Sequence, residues 1–353
     1  MKKKLLIITD AWTPQVNGVV TVMRETIKRL PESEFEVRLI HPGVFFGISL
    51  PFYPEIRFVP FGQGVIRKTI REFNPDYIHI DTESALGLAG RRACISQGKR
   101  FTTAYHTNFP HYFEVRTGLS GEWIFSYLRW FHSAAERTMV STELLRNELE
   151  VRNFKHLVVR PLGVDTELFQ KPENTPRPNL GHPIFIFLGR LAVEKGVEDF
   201  LHCNLPGEKW VVGDGPQRYE LEAMYPEVRF FGYKTGGDLV EILSKADVLV
   251  LPSRTETFGL VALEALSCQI PVAAYPAPGP SYIISDGIDG ILSTDIEDAA
   301  KRCLLLDRTK CREKALKYSW ENSTKAFLEN LVKTDPAERM PGILKRKYLR
   351  SIL

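Results

Sequence analysis

The sequence DVLVLPSRTETFGLVALEAL, residues 247–266, joins an apolar run to a polar loop and then to a second apolar segment. The first run is continuously hydrophobic, which is typical of a strand buried on both faces of a parallel sheet. In the second segment, the apolar residues recur at helical spacing, so a helix is predicted after the loop; they are Leu260, Val261, Leu263 and Leu266. A strand, a loop and a helix in this order form the repeating unit of an α/β fold.

Strand-length apolar runs recur along the 353 residues, with amphipathic stretches between them. The runs are KLLIIT (4–9), FEVRLIHP (35–42), IRFVPF (56–61), YIHI (77–80), FTTAYHT (101–107), TMVST (138–142), IFIFLGR (184–190), KWVVGD (209–214), VRFFGY (228–233), DVLVLPS (247–253), PVAAYP (271–276) and GILS (290–293). The segment QKPENTPRPNLGHP (170–183) carries four prolines and indicates a linker. We therefore predict an α/β protein with two doubly wound, Rossmann-like parallel-sheet domains.

The domains are predicted at residues 1–165 and 166–318, because 353 residues are too many for the usual single core. Two such domains imply a cleft between them. A last region, residues 319–353, begins with Ser319 as the N-cap of an amphipathic helix and ends in the basic tail LKRKYLRSIL. The mixture of cationic and apolar residues in this tail suits either an anionic membrane surface or a solvated helix face.

Composition excludes several classes of protein. With 44% hydrophobic and 25% charged residues, the chain is predicted to be globular, and no apolar run reaches the ~18 residues of a membrane-spanning helix. The start MKKKLLIITDAW is read as a first strand and not as a signal peptide. A net charge of +3 without a nucleic-acid-binding motif argues against nucleic acid as a partner. Five scattered cysteines without metal-ligand spacing favour a reducing cytoplasm and no metal site.

Ligands of open parallel sheets bind beyond the carboxyl ends of the strands, so the loops after the strands are the candidate sites. After the first strand, TDAWTPQVNGVV (9–20) places Asn17 and Gly18 at a helix entry, where backbone N–H groups can approach a phosphate. The chain has no GxGxxG or GxxxxGK[ST] motif, which argues against a dehydrogenase or an NTPase. In the second domain, FLGRLAVEKG (187–196) offers Arg190 and Lys195 beside Gly189, and two cations in one loop suit a diphosphate.

The opening stretch contains two acids around a helix start. Glu256 lies in the predicted loop, and Glu264 lies roughly 9 Å along the helix. Between them, the exposed N–H groups around Phe258, Gly259 and Leu260 form an anion site. A carboxylate on each side of a phosphate site suits a ligand with hydroxyls at both ends and phosphates in the middle, which is the layout of a nucleotide sugar.

Three of these segments, PQVNGVV, GRLAVEKG and ETFGLVALEA, resemble the retaining glycosyltransferases of family 4, which have the GT-B fold. The segments PDYIHIDTESALGLAGRRAC (75–94), TTAYHTNFPHYF (102–113) and RPLGVDTELF (160–169) are most similar to GDP-mannose-dependent α-mannosyltransferases and to sulfoquinovosyl or glycosyl diacylglycerol synthases. The resemblance implies transfer, with retention, of a mannose- or glucose-type hexose from a nucleotide diphosphate sugar to a lipid or glycan acceptor. GDP-mannose is the favoured donor, and a UDP-sugar is the alternative.

The same resemblance implies a role for each candidate residue. Arg190 and Lys195 would hold the diphosphate, with an N–H of Gly18 as a further contact. Glu256 would bind hydroxyls of the donor sugar, and Glu264 would bind those of the ribose.

Other residues receive roles on the sugar and base sides of the site. His106 would face the donor sugar from the first domain, and Gly232 and Tyr233 would border the base. His79 is expected to be structural, and His111 is a weaker candidate on the acceptor side. One departure from the family pattern, the proline-rich SCQIPVAAYPAPGPSYI (267–283), leaves the cover over the sugar and the identity of the donor open.

The expected mechanism stabilises the departing diphosphate by cations and helix N-termini, with neither a metal nor another cofactor. The terminal helix is expected to cross back to the first domain, as in relatives. Aromatic segments at residues 43–54 and 122–137 suit either a lipid-facing surface or ordinary core. The protein is therefore expected in the cytoplasm, with peripheral contact to the inner membrane face as an option. The alternatives are a nucleotide-sugar epimerase or hydrolase of the same fold, and a non-catalytic nucleotide-sugar-binding protein.

Overall fold

A computed structural model describes residues 1–50, 53–172 and 181–334, so most of the predicted linker and the whole basic tail lie outside the described residues. The strands are β1 (Lys3–Ile8), β2 (Phe35–Ile40), β3 (Ile48–Leu50), β4 (Tyr53–Phe58), β5 (Tyr77–Ile80), β6 (Thr102–Tyr105), β7 (Arg137–Val140), β8 (Leu157–Val159), β9 (Ile184–Leu188), β10 (Glu208–Val212), β11 (Arg229–Phe230), β12 (Val248–Leu251), β13 (Val272–Ala274) and β14 (Gly290–Leu292). The helices are α1 (Gly18–Lys28), α2 (Gln63–Phe73), α3 (Ala85–Ser96), α4 (Phe109–Thr117), α5 (Glu122–His132), α6 (Glu143–Val151), α7 (Val197–His202), α8 (Arg218–Met224), α9 (Gly236–Leu243), α10 (Leu260–Ser267), α11 (Pro278–Ile283), α12 (Ile296–Cys303), α13 (Arg308–Ala315) and α14 (Trp320–Asn330).

The strands form two six-stranded parallel sheets. Their orders are β2-β1-β5-β6-β7-β8 and β11-β10-β9-β12-β13-β14. In each sheet the chain starts at an inner strand and winds outward in both directions, which confirms the doubly wound α/β architecture of the GT-B fold. The reversal of winding opens a crevice at the carboxyl ends of β1 and β5 in one sheet and of β9 and β12 in the other.

Two details of strand pairing differ from the sequence-based expectation. The run IRFVPF contributes to β4, which pairs antiparallel with β3 in a separate hairpin, with Ile48 opposite Phe58. The sixth strand of the first sheet is instead β8, whose three residues are only partly buried. An apolar run predicts that a strand forms, but it carries no information on which partner the strand takes.

The inner strands are apolar along their whole length because helices cover both faces of each sheet. Leu5 to Ile8 of β1 are completely buried, and residues 184–187 of β9 are almost completely buried. Helix α14 spans the two domains, since Trp320 lies in the core of the second domain and Phe327 lies in the core of the first. Among the described residues, no helix has both the length and the apolar character that crossing a bilayer requires.

Candidate functional site

The loop after β1 brings the start of α1 against the second domain. A Cβ on Gly18 would stand 3.6 Å from Leu260 Cδ1, so the first turns of α1 and α10 face each other. Asn17 caps α1, because its side-chain oxygen accepts a hydrogen bond of 3.0 Å from the N–H of Val20. Within the described residues, the N–H groups of Gly18 and Val19 donate no hydrogen bond. They are therefore available to an anion.

A second helix start completes this anion site. Gly259 has φ +93°, in the left-handed region that favours glycine, and this turns the chain sharply from the loop into α10. In the described part of the chain, the N–H groups of Gly259, Leu260 and Val261 also lack a hydrogen bond. Two helix N-termini from different domains thus converge on one space.

Phe258 has a different part in the site from its neighbours. Its side chain is buried in the core of the second domain, with its ring centroid 6.3 Å from that of Tyr318. Its backbone packs against Gly279 of the proline-rich segment, where a Cβ would stand about 2.5 Å from the Phe258 nitrogen. The N–H of Gly279 also donates to the carbonyl of Glu256 at 2.9 Å. The proline-rich segment therefore packs against the backbone of the loop that carries Glu256 and Phe258.

Lys195 and Glu256 meet at the centre of the site. The Nζ of Lys195 donates to Oε2 of Glu256 over 2.7 Å, and the two side chains are 22% and 13% exposed. Burial alone would lower the pKa of Lys195, but Glu256, Tyr112 and Glu194 outweigh burial and raise that pKa. Lys195 therefore keeps its charge at every physiological pH. Arg190 follows β9 directly in the same loop, whose start is held by the N–H of Gly189 donating to the Val212 carbonyl at 3.0 Å.

Glu264 lies on the other side of the helix start. Its carboxylate has no hydrogen-bond or ion-pair partner in the described residues, and burial raises its pKa to about 7. It is close enough to Tyr233 to raise the pKa of that phenol, to which burial contributes more. Tyr233 follows Gly232, which has φ +68° and accepts a hydrogen bond at its carbonyl from the Gly213 N–H at 2.9 Å. The structure thus brings Glu264 and Tyr233 together.

His106 reaches the same space from the first domain. It follows β6, and its carbonyl accepts a hydrogen bond of 2.8 Å from the hydroxyl of Thr257, the neighbour of Glu256 in sequence. Its Nε2 lies 2.8 Å from Oδ1 of Asp81, a completely buried carboxylate. Burial would raise the pKa of Asp81, but His106 and His79 reverse that effect and hold it well below its usual range. Asp81 therefore stays ionised and orients the His106 ring.

Asp81 was not among the residues predicted from the sequence, although an acid directly after the central strand β5 was a usable signal. The two other histidines have local partners. His79 is fully buried, with Nδ1 2.9 Å from the Thr102 hydroxyl and Nε2 3.4 Å from Asp81, which fits the structural role expected of it. His111 lies 2.8 Å from Glu114 and 3.4 Å from Glu148. These carboxylates raise its pKa, so it binds a proton more readily than a free histidine.

Two family models match the chain. The model described as "Glycosyltransferase Family 4" matches residues 16–168, and "Glycosyl transferases group 1" matches residues 182–307. The GDP-mannose-dependent alpha-mannosyltransferase of Mycobacterium tuberculosis is 27% identical over 317 residues, which cover 82% of this chain and 83% of that protein. Sulfoquinovosyl transferase SQD2 of Arabidopsis thaliana is 30% identical over 344 residues, or 87% of this chain and 66% of that protein.

The fold is also shared with solved structures. The sucrose-phosphate synthase of Thermosynechococcus elongatus superposes with a TM-score of 0.78 at 19% identity, covering 99% of this chain and 100% of that one. At this identity the likeness establishes the arrangement of the two sheets and no more.

Proposed function

Because this chain is a member of glycosyltransferase family 4, we propose that it moves a hexose from a nucleotide diphosphate sugar to a lipid or glycan acceptor, with retention at the sugar carbon. GDP-mannose is the donor we favour. The observation that carries the proposal is the pairing of Lys195 with Glu256 at the convergence of two helix N-termini. Glu264, which has no partner among the described residues, lies beyond the start of α10. This arrangement offers the positive charge of Lys195 and the helix N-termini in the middle. At each end, a glutamate carboxylate can accept hydrogen bonds from the hydroxyls of a ligand.

The donor's diphosphate would lie between the starts of α1 and α10, and its arrival would draw Lys195 away from Glu256. Glu256 would then be free to accept hydrogen bonds from the sugar hydroxyls, while Glu264 accepts those of the ribose. During transfer, negative charge would grow on the leaving diphosphate, and Arg190, Lys195 and the helix N-termini would stabilise it. We propose that this positive charge suffices without a metal ion.

A double displacement would need a carboxylate nucleophile at the sugar carbon. Asp81 is fully buried and bound to His106, and we assign Glu256 to the sugar hydroxyls. We therefore propose retention without a covalent intermediate between sugar and enzyme. We propose that the acceptor attacks from the face that the diphosphate leaves, with a phosphate oxygen taking its proton. His106 faces the sugar across the cleft.

Stabilisation against heat in the presence of nucleotides is the direct test of this function. The melting temperature is compared in the presence of GDP, UDP, GDP-mannose, UDP-glucose and NAD. Turnover of any stabilising sugar donor is then measured with and without lipid and oligosaccharide acceptors. We expect stabilisation by GDP or UDP and their sugars, and sugar release that depends on an acceptor. A response to NAD alone would overturn the proposal. Conversion of the donor without an acceptor would favour an epimerase or hydrolase, and binding without any turnover would favour a binding protein.

A lipid acceptor is supported by an exposed apolar surface on the first domain, which we call the hairpin surface. It consists of Phe46 and Ile48 with Phe58 and Phe61, whose exposed fractions are 95%, 61%, 45% and 89%. Its two loops are adjacent, since a Cβ on Gly62 would stand 3.8 Å from Phe45 Cε1. Four large apolar side chains exposed together mark a contact surface.

The charge beside the hairpin surface fits an anionic bilayer. Helix α2 follows Phe61 and exposes Arg67, Lys68 and Arg71 against the single acid Glu72. We propose that this protein acts in the cytoplasm and touches the inner membrane face through the hairpin surface and α2. In the aromatic segment 122–137, Phe125, Leu128 and Phe131 of α5 are buried, whereas Trp123 is 64% exposed.

A further inference from the structure

Helix α4 of the first domain lies against the 3-10 turn Val193–Lys195 of the second domain. Arg116, in the last turn of α4, binds the carboxylate of Glu194 with both sides of its guanidinium, at Nε–Oε2 3.1 Å and Nη2–Oε1 2.9 Å. The Glu194 side chain is only 4% exposed, and that of Arg116 is 37% exposed. A bidentate pair of this kind is stronger and more directional than a single ion pair. It also joins the two domains directly.

The backbone of Glu194 connects the same contact to the site. Its carbonyl accepts hydrogen bonds from the hydroxyls of Ser253 at 3.2 Å and Thr255 at 3.4 Å, in the loop that carries Glu256. Glu194 immediately precedes Lys195, and both belong to the 3-10 turn Val193–Lys195. Holding Glu194 therefore holds the turn from which the Lys195 side chain projects.

Tyr112 contacts Lys195 from one helical turn before Arg116. Burial raises the pKa of the Tyr112 hydroxyl, and the nearby Lys195 charge opposes that rise only in part, so the phenol stays neutral. Residues four apart lie on the same face of a helix. One face of α4 thus presents a neutral phenol oxygen, which accepts a hydrogen bond from Lys195, and a cation to the neighbouring Glu194.

We propose that Arg116 is a positioning residue that places Lys195 for the departing diphosphate when the two domains are closed. Glu194 is a second carboxylate that attracts the charge of Lys195. By taking both oxygens of Glu194, Arg116 removes that competitor and keeps the Lys195 ammonium directed at the cleft. When the domains separate, the buried Glu194 loses its partner, which disfavours the open form. The nature of the phosphate ligand in this inference rests on the proposed function.

The test compares Arg116→Gln with a matched control, Arg100→Gln. Arg100 also binds a glutamate, Glu136, at two points of 3.1 Å, but within the first domain. We expect Arg116→Gln to lower kcat by about 10-fold or more with a smaller change in KM for the donor, because a partly exposed member of a buried charge pair is lost. Arg100→Gln should leave kcat close to wild type, and melting temperatures should show that both variants fold.

Charge reversal separates positioning from a general structural effect. Arg116→Glu should be more harmful than Arg116→Gln, and adding Glu194→Arg should restore much of the lost kcat. Turnover of Arg116→Gln equal to that of Arg100→Gln would overturn the proposal, as would a double reversal no more active than Arg116→Glu.

Solution scattering keeps this test independent of the proposed reaction. If the unmutated protein transfers no sugar, the proposed function fails, but the pairing is still testable with GDP and UDP alone. We expect these nucleotides to decrease the radius of gyration of the wild type. The decrease should be smaller for Arg116→Gln. Equal compaction of the two proteins would overturn the role of Arg116.

Discussion

Replacing Glu264 by Gln should stabilise the fold and weaken ligand binding at the same time. Burial raises the pKa of this carboxyl from an ordinary 4.5 to about 7, and it has no partner in the described residues. That change corresponds to a proton affinity about 300-fold higher, so holding the carboxylate ionised costs up to about 3 kcal/mol. Because the side chain keeps some contact with solvent, we expect about 1–2 kcal/mol.

The size of this effect depends on pH. Between pH 4.5 and about 7 the folded protein keeps the Glu264 proton and the unfolded chain releases it, so this group lowers stability as pH rises. Chemical unfolding should therefore show Glu264→Gln more stable than wild type by about 1–2 kcal/mol at pH 8, with much of the gain gone at pH 5. Calorimetric titration at pH 8 should show GDP or UDP bound about 10-fold more weakly, because an amide is a poorer acceptor for ribose hydroxyls than a carboxylate.

The exposed Glu220 of α8 supplies the control, since Glu220→Gln should change neither quantity. A Glu264→Gln variant no more stable than wild type at pH 8, or equally stabilised at pH 5 and pH 8, would refute the electrostatic reasoning. Unchanged nucleotide affinity would refute the assignment of Glu264 to the ribose.

Three further substitutions probe other parts of the site and surface. Glu256→Ala should lower kcat by about 100-fold while calorimetry finds GDP or UDP affinity nearly unchanged, because Glu256 is assigned to the sugar and not to the diphosphate; a parallel loss of nucleotide affinity would contradict that role. Asp81→Asn should lower kcat by about 100-fold, because the amide no longer orients the His106 ring. A rate near wild type in a folded variant would exclude the Asp81–His106 pair from the reaction. Replacing Phe46 and Phe61 by Ser should abolish sedimentation with anionic vesicles and leave the melting temperature unchanged; undiminished sedimentation would exclude the hairpin surface.

The local units of the fold and the outline of the site were open to prediction from the sequence. Strand and helix signals depend on residues a few positions apart, and Glu256 and Glu264 lie within one loop-and-helix unit. A parallel α/β pattern also places every loop after a strand at the same sheet edge. The sequence therefore determined that Gly18, Arg190 and Glu256 belong to loops or helix starts at such edges, and that Glu264 follows in the adjoining helix.

Contacts between distant segments were decided by the tertiary structure alone. Asp81 and His106 come from successive strands, Lys195 pairs with Glu256 across 61 positions, and Arg116 reaches Glu194 across 78. The partner of β4 and the sixth strand of the first sheet were likewise settled by packing. Each of these pairings depends on how the sheets and domains lie against each other. Periodicity reports only on residues close together in the sequence, so it does not predict contacts between distant segments. The sequence by itself determined the chemistry available at the sheet edges, whereas packing of the two domains decided which of those groups meet.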